Sequence, residues 1–221
     1  MLSIKNAVVD LRSATFVSLL IIFVTVSVLV ASGATGTFDA SVTDSIVRTS
    51  GHPIADTVMI VVSESASIFP SPMFIFALIL IVKKKTRRIG AILLLVLAVS
   101  TAAYASVKRI VDRDRPPYEF KPNIGLDYVP EQDVISQLAS SFPSGHATRS
   151  AAFALVVSYM VRNRSVGGVP AGMLMWIIPI SVGFSRMYIG AHYPTDVIAG
   201  IALGLIIANV MGKVLKFEAP R

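Results

Sequence analysis

The sequence has no cysteine and little charge: charged residues make up 15% of its 221 positions. The missing thiols exclude a disulfide scaffold and leave the redox compartment open. A soluble globular domain carries about 25% charged residues, so this chain lacks the means to cover a water-facing surface. Disorder and a solvent-exposed coiled coil fail on the same ground. Apolar residues are what the chain has instead, at 54% of the sequence with a mean hydropathy of +0.71. An integral membrane protein remains.

The apolar residues fall into six stretches, at approximately 14–32, 68–82, 89–107, 144–161, 169–188 and 194–212. At ~1.5 Å rise per residue, 18 to 20 residues cover the ~30 Å hydrocarbon core. The expectation is an all-α fold, one six-transmembrane-helix bundle occupying residues 1–221. Pro70 and Pro72 blur the start of the second stretch. An earlier start inside Ile54–Val62 is the alternative, since that run is apolar but followed by Ser63-Glu64-Ser65, and residues 39–66 are read as short interfacial helices on the outer side.

Charge sets the orientation. With the N-terminus inside, the inner segments hold Lys5, Arg12, Lys83, Lys84, Lys85, Arg87, Arg88, Arg162, Arg164, Lys213, Lys216 and Arg221. The outer cations are Arg48, Lys108, Arg109, Arg113, Arg115, Lys121, Arg149 and Arg186, and of the acids only Asp10 and Glu218 lie inside. By the positive-inside rule both termini are cytoplasmic. The run after Lys5 and Arg12, ending near Ala31-Ser32-Gly33-Ala34, has the outline of a secretory signal but is read as a retained span. The net charge of +7 comes in short runs between apolar stretches, not on one face interleaved with aromatics, which excludes nucleic acid as a partner.

Several outer cations sit at span ends, where burial is costly unless a counter-charge is present. Lys108 closes the third span, Arg115-Pro116 follows within reach of the same anion, and Arg186 lies near the end of the fifth. A phosphate would supply the pairing. Ser141-Phe142-Pro143-Ser144-Gly145-His146 is a second cluster: Pro143 suits a first helical turn, and Gly145 lets an anion approach the backbone. Alone it also fits a helix cap with an incidental histidine. Ser185-Arg186, His192 and Asp196 form the third. A carboxylate beside one imidazole nitrogen fixes the tautomer and frees the other as nucleophile or base, although Asp196 could equally just complement a helix dipole. The topology brings all three clusters to the outer ends of spans three to six. Together they make a phosphate site with a nucleophile.

These residues resemble the type-2 phosphatidic acid phosphatase family, which also includes glucose-6-phosphatase and the vanadium haloperoxidases. The family pattern is Lys, six residues, Arg-Pro; then Pro-Ser-Gly-His; then Ser-Arg, five residues, His, three residues, Asp. Lys108 with Arg115-Pro116, Pro143-Ser144-Gly145-His146, and Ser185-Arg186 with His192 and Asp196 match every identity and spacing. The resemblance implies that His192 attacks phosphorus, Asp196 holds its tautomer, and His146 protonates the leaving oxygen. Lys108, Arg115, Arg186, Ser144 and the Gly145 N–H would hold the phosphoryl oxygens. It implies no cofactor, and the sequence has no carboxylate cluster to hold Mg²⁺.

Bacterial members of this layout dephosphorylate membrane lipids. An outward site favours a polyprenyl (undecaprenyl-type) diphosphate, and Arg149, one helical turn beyond His146, is a candidate contact for a second phosphate. Phosphatidate and phosphatidylglycerol phosphate are alternative substrates, and phosphotransfer to another lipid is an alternative reaction. Transport or lipid binding without chemistry is disfavoured: broken mid-membrane helices or an inverted repeat would mark it, and neither is visible.

Overall fold

The computed structural model describes residues 11–67, 71–118 and 140–215. Lys5, Asp10, Lys121, Lys216, Glu218, Arg221 and the expected start of the second span at 68–70 lie outside them. Helix α1, Ala14–Ala31, starts where Ser13 accepts the Phe16 N–H at 3.2 Å. Two shorter helices follow, α2 (Gly36–Val47) and α3 (Pro53–Glu64), in the stretch read as interfacial. Helix α4 (Pro72–Val82) opens on a proline, whose missing N–H costs nothing in a first turn. A turn of cations leads into α5 (Arg87–Ile110). Beyond the site loop come α6 (Gly145–Met160), a hairpin of β1 (Ser165–Val166) and β2 (Val169–Pro170), α7 (Ala171–Leu174), α8 (Ile177–Tyr188) and α9 (Pro194–Val214).

Helices α1, α5 and α9 are long and apolar enough to cross a membrane, and α4 is a shorter apolar helix. Helix α6 has 16 residues and α8 has 12. The expected fifth span, 169–188, is therefore not one continuous helix. Its break follows from Pro179, which has no N–H to give the carbonyl four residues back. The chain tightens there, with Trp176 N–H donating to Met173 and Ile178 N–H to Met175.

Helix α6 is the axis of the packing, buried from Gly145 through Val157. It lies unusually close to α9, because Gly200 and Gly204 face it one turn apart. A Cβ on Gly200 would sit 2.6 Å from the Ser144 carbonyl oxygen, and one on Gly204 2.2 Å from that of Thr148. Small residues at this spacing let two helix backbones meet in an apolar medium, where packing rather than the hydrophobic effect drives association. Helices α5 and α8 flank the pair, α4 lies on α5, and α1 on α9.

Only Phe16 and Val30 of α1 are buried, and Ile21 and Val28 are 59% and 61% exposed. That apolar face would be untenable in water and suits acyl chains. At one end of the bundle Arg88 donates to the Leu215 carbonyl at 3.3 Å, so the cationic turn at 83–88 meets the end of α9. The start of α6, the end of α8 and the start of α9 meet at the opposite end. There α2 and α3 lie against α8.

Candidate active site

The segment after α5 is stitched to the segment before α6. Ser140 Oγ donates to the Val111 carbonyl at 2.7 Å and accepts the Arg113 N–H at 3.1 Å. Ser141 N–H donates to the Arg113 carbonyl at 2.7 Å, and its hydroxyl to that of Asp114 at 3.1 Å. Lys108, in the last turn of α5, is 1% exposed and donates to the Ser140 carbonyl. The first motif is thereby delivered to the second.

Helix α6 starts one residue later than expected. Pro143 precedes the N-cap instead of lying inside the first turn, because Ser144 is extended and its hydroxyl accepts the Ala147 N–H at 3.4 Å. The Ser144 N–H donates to the Asp196 carbonyl at 3.0 Å, tying the start of α6 to the first turn of α9. Gly145 has a packing reason as well as the expected one: a Cβ there would lie 2.8 Å from the Tyr104 ring. His146 follows, 1% exposed.

The third motif is a helix end running into a helix start. Gly190 takes a left-handed φ of 66°, and the Ala191 and His192 N–H groups fold back onto the Arg186 carbonyl at 3.0 and 3.2 Å. This sets His192 beside the last turn of α8. Tyr193 is extended, and Pro194 starts α9. Asp196, at the third helical position, accepts the Tyr193 N–H on Oδ2 at 2.9 Å, as the acid of a capping box does. The same oxygen faces His192 Nδ1 at 3.6 Å. The spacing of three residues between His192 and Asp196 is what this geometry requires. At 3.6 Å the pair is longer than a hydrogen bond.

His146 is near enough to Arg186, Arg149 and Arg115 for their charges to act on its imidazole. Arg186 and Arg149 are each 1% exposed. Arg186 donates to Ser63 Oγ at 2.7 Å. Arg149 donates to the Ala66 carbonyl at 2.8 Å and to Tyr104 Oη at 2.7 Å, and its Nη2 has no hydrogen bond among the described residues. The last turn of α3 and the turn after it therefore each accept from one of these arginines. Among the described residues no three His, Asp or Glu side chains cluster tightly enough to hold a metal ion. Buried cations around an imidazole suit an anion whose charge grows during reaction.

Sequence reasoning counted Arg113 only as an outer cation and gave Asp39 no role. In the structure Arg113 donates through Nη1 to Asp196 Oδ1 and through Nη2 to Asp39 Oδ2, both at 2.7 Å. Thr195 holds Asp39 as well, its hydroxyl donating to Oδ2 at 2.7 Å and its N–H to Oδ1 at 3.2 Å. Burial works against the Arg113 charge, but Asp196 and Asp39 outweigh it and hold the guanidinium more firmly protonated than usual. Its carbon lies 4.1 Å from the centre of the Tyr193 ring, and burial pushes that phenol up despite the cation. The available signal was an arginine two residues from Arg115; an aspartate in the first turn of α2 gave none.

Residues 89–218 match the family model described as the PAP2 superfamily. The chain is 31% identical over 175 residues to a lipid A 4'-phosphatase of Porphyromonas gingivalis, a match covering 77% of this chain and 70% of that protein. It is 34% identical over 116 residues to a decaprenylphosphoryl-5-phosphoribose phosphatase of Mycobacterium tuberculosis, covering 52% of this chain and 55% of that protein. Its fold resembles the crystal structure of a transmembrane PAP2-type phosphatidylglycerolphosphate phosphatase from Bacillus subtilis. The TM-score is 0.71 at 23% identity, over 93% of this chain and 98% of that one. With three motif clusters gathered at one end of a helical membrane fold and more than half its length matched, the chain belongs to the PAP2 superfamily.

Proposed function

We propose that this PAP2 lipid phosphatase cleaves a phosphate ester or diphosphate of a membrane lipid at the outer face, through a phosphohistidine on His192. The observation carrying this reading is the position of Asp196 against Nδ1 of His192, at 3.6 Å, inside a ring of buried cations. A proton on Nδ1, facing the carboxylate, leaves Nε2 with its lone pair for attack.

Lys108, Arg115 and Arg186, with Ser144 and the Gly145 N–H, hold the phosphoryl oxygens. His192 Nε2 attacks in line, forming a P–N bond as the P–O bond to the lipid breaks. His146 gives its proton to the departing oxygen. Water then attacks phosphorus, His146 takes a proton from it, and the P–N bond breaks to release inorganic phosphate. Phosphoryl transfer asks mainly for positioning and neutralisation of the equatorial oxygens, and the cations supply both.

The six-span bundle belongs to this proposal: α4, α6 and the α7–α8 pair complete the crossings begun by α1, α5 and α9. Both termini are cytoplasmic, with the site on the opposite face. A polyprenyl diphosphate is the favoured substrate, with Arg149 Nη2 contacting its second phosphate; a relative named for a decaprenyl lipid supports such a tail. Phosphate release from polyprenyl diphosphate, phosphatidate and phosphatidylglycerol phosphate, measured in detergent with EDTA, tests the reading. Release that EDTA spares and His192→Ala abolishes is expected. Release that EDTA abolishes would overturn metal-free chemistry, and none from any lipid would overturn hydrolysis.

A further inference from the structure

In the phosphohistidine reading, on which this inference rests, Asp196 serves to hold His192. What holds Asp196 is a separate question, and three elements answer it. Its Oδ2 is occupied by the Tyr193 N–H within α9. Its Oδ1 is occupied by Arg113, from the segment after α5. Arg113 is gripped in turn by Asp39, from the first turn of α2.

Asp39 and Asp196 are both 0% exposed, and the Arg113 side chain is 15% exposed. A buried carboxylate pair around one guanidinium is costly to assemble, and losing one member leaves an uncompensated charge. The planar fork suits this position, because its two ends reach two carboxylates without changing the angle between them. Thr195 fills the remaining acceptor positions: Arg113 Nη1 donates to its hydroxyl at 2.8 Å, and it donates that hydroxyl to Asp39. Tyr193 covers the guanidinium from above. Both terminal nitrogens of Arg113 thus point at these groups, not at the phosphate cradle of Lys108, Arg115 and Arg186.

We infer that Arg113 and Asp39 form a positioning pair for the reaction: Arg113 fixes the plane of the Asp196 carboxylate so that Oδ2 meets His192, and Asp39 fixes Arg113. Asp39 lies outside the family-matched residues 89–218. Turnover therefore depends on α2 being docked, through Asp39 and Arg113.

The test uses the full chain in detergent with a short-chain phosphatidate, comparing Arg113→Ala, Arg113→Lys, Asp39→Asn and His192→Ala. Loss of an orienting contact misplaces the nucleophile, so kcat of Arg113→Ala should fall about 10²-fold with KM within about threefold. The inhibition constant for inorganic phosphate should stay within about twofold, since the cradle is intact. Arg113→Lys should recover only part of kcat, and guanidinium ion added to Arg113→Ala should raise it about tenfold without affecting the wild type. Asp39→Asn, which keeps shape and Arg113, should lower kcat about tenfold and serves if Arg113→Ala does not fold.

Unchanged kcat in Arg113→Ala or Asp39→Asn, with His192→Ala inactive, would overturn the positioning pair alone. So would a KM and a phosphate inhibition constant that rise together, which would make Arg113 a phosphate ligand. An active His192→Ala would instead overturn the phosphohistidine reading beneath it.

Discussion

Asp196 Oδ2 faces His192 Nδ1 at 3.6 Å while accepting the Tyr193 N–H at 2.9 Å. One oxygen thus caps a helix and faces an imidazole. Asp196→Asn keeps an acceptor for the cap but not the charge that favours a protonated Nδ1. Turnover should fall by about 10²–10⁴-fold, as when a triad loses its aspartate, with a far smaller change in KM. A variant that raised KM and spared kcat would place Asp196 in binding instead.

His146 carries a different prediction. In the proposed reaction it gives its proton to the leaving oxygen, which matters most when that oxygen is a poor leaving group. His146→Ala should slow release from a lipid phosphate by about 10²–10⁴-fold but affect para-nitrophenyl phosphate much less. Equal losses on both substrates would mean that His146 serves phosphate binding or the water step only.

The α6–α9 contact can be tested without touching the chemistry. A Cβ on Gly204 would lie 2.2 Å from a backbone oxygen, so Gly204→Ala must push the helices apart. A loss of about 1–3 kcal/mol is expected, visible as a lower thermal midpoint in detergent. Gly36 has open space where its Cβ would go. Gly36→Ala should leave the midpoint unchanged within about 0.5 kcal/mol.

In the proposed reading Arg149 contacts the second phosphate, and so would separate diphosphate from monophosphate lipids. Its Nε and Nη1 are committed to Ala66 and Tyr104, and Nη2 is the end left for a ligand. Arg149→Ala should lower kcat/KM more for polyprenyl diphosphate than for phosphatidate, by about tenfold in the ratio for one lost charge-assisted contact. The ratio does not depend on how much protein is folded. An unchanged ratio would remove the second-phosphate role.

The sequence was most legible where a run of apolar residues ends in an unambiguous stop. Lys108 and Arg109 close α5, Ser13 opens α1, and Pro194 opens α9, so those boundaries fall within a few residues of the expected 14–32, 89–107 and 194–212. Stretch 169–188 reads as one run because apolar residues dominate it, whereas its backbone divides into α7 and α8 ahead of Pro179. The motif spacings announced the placement of His192 and Asp196, since a helix end, one left-handed glycine and a proline-started helix leave little freedom. Asp39 and Arg113 were illegible because 74 positions separate them and nothing local marks a carboxylate that will be buried. Arg149 reads in the sequence as an outer cation and a candidate phosphate contact, and only the packing of Tyr104 and Ala66 gives it two buried partners.

The central claim is a phosphoryl group carried on His192, and trapping it is the most direct measurement. Protein mixed with lipid labelled in the terminal phosphate, quenched within milliseconds in alkali, should hold label that acid removes and alkali spares. Peptide mapping should place that label on His192, and His192→Ala should hold none. Label on another residue, or turnover with no label at any quench time, would contradict the account.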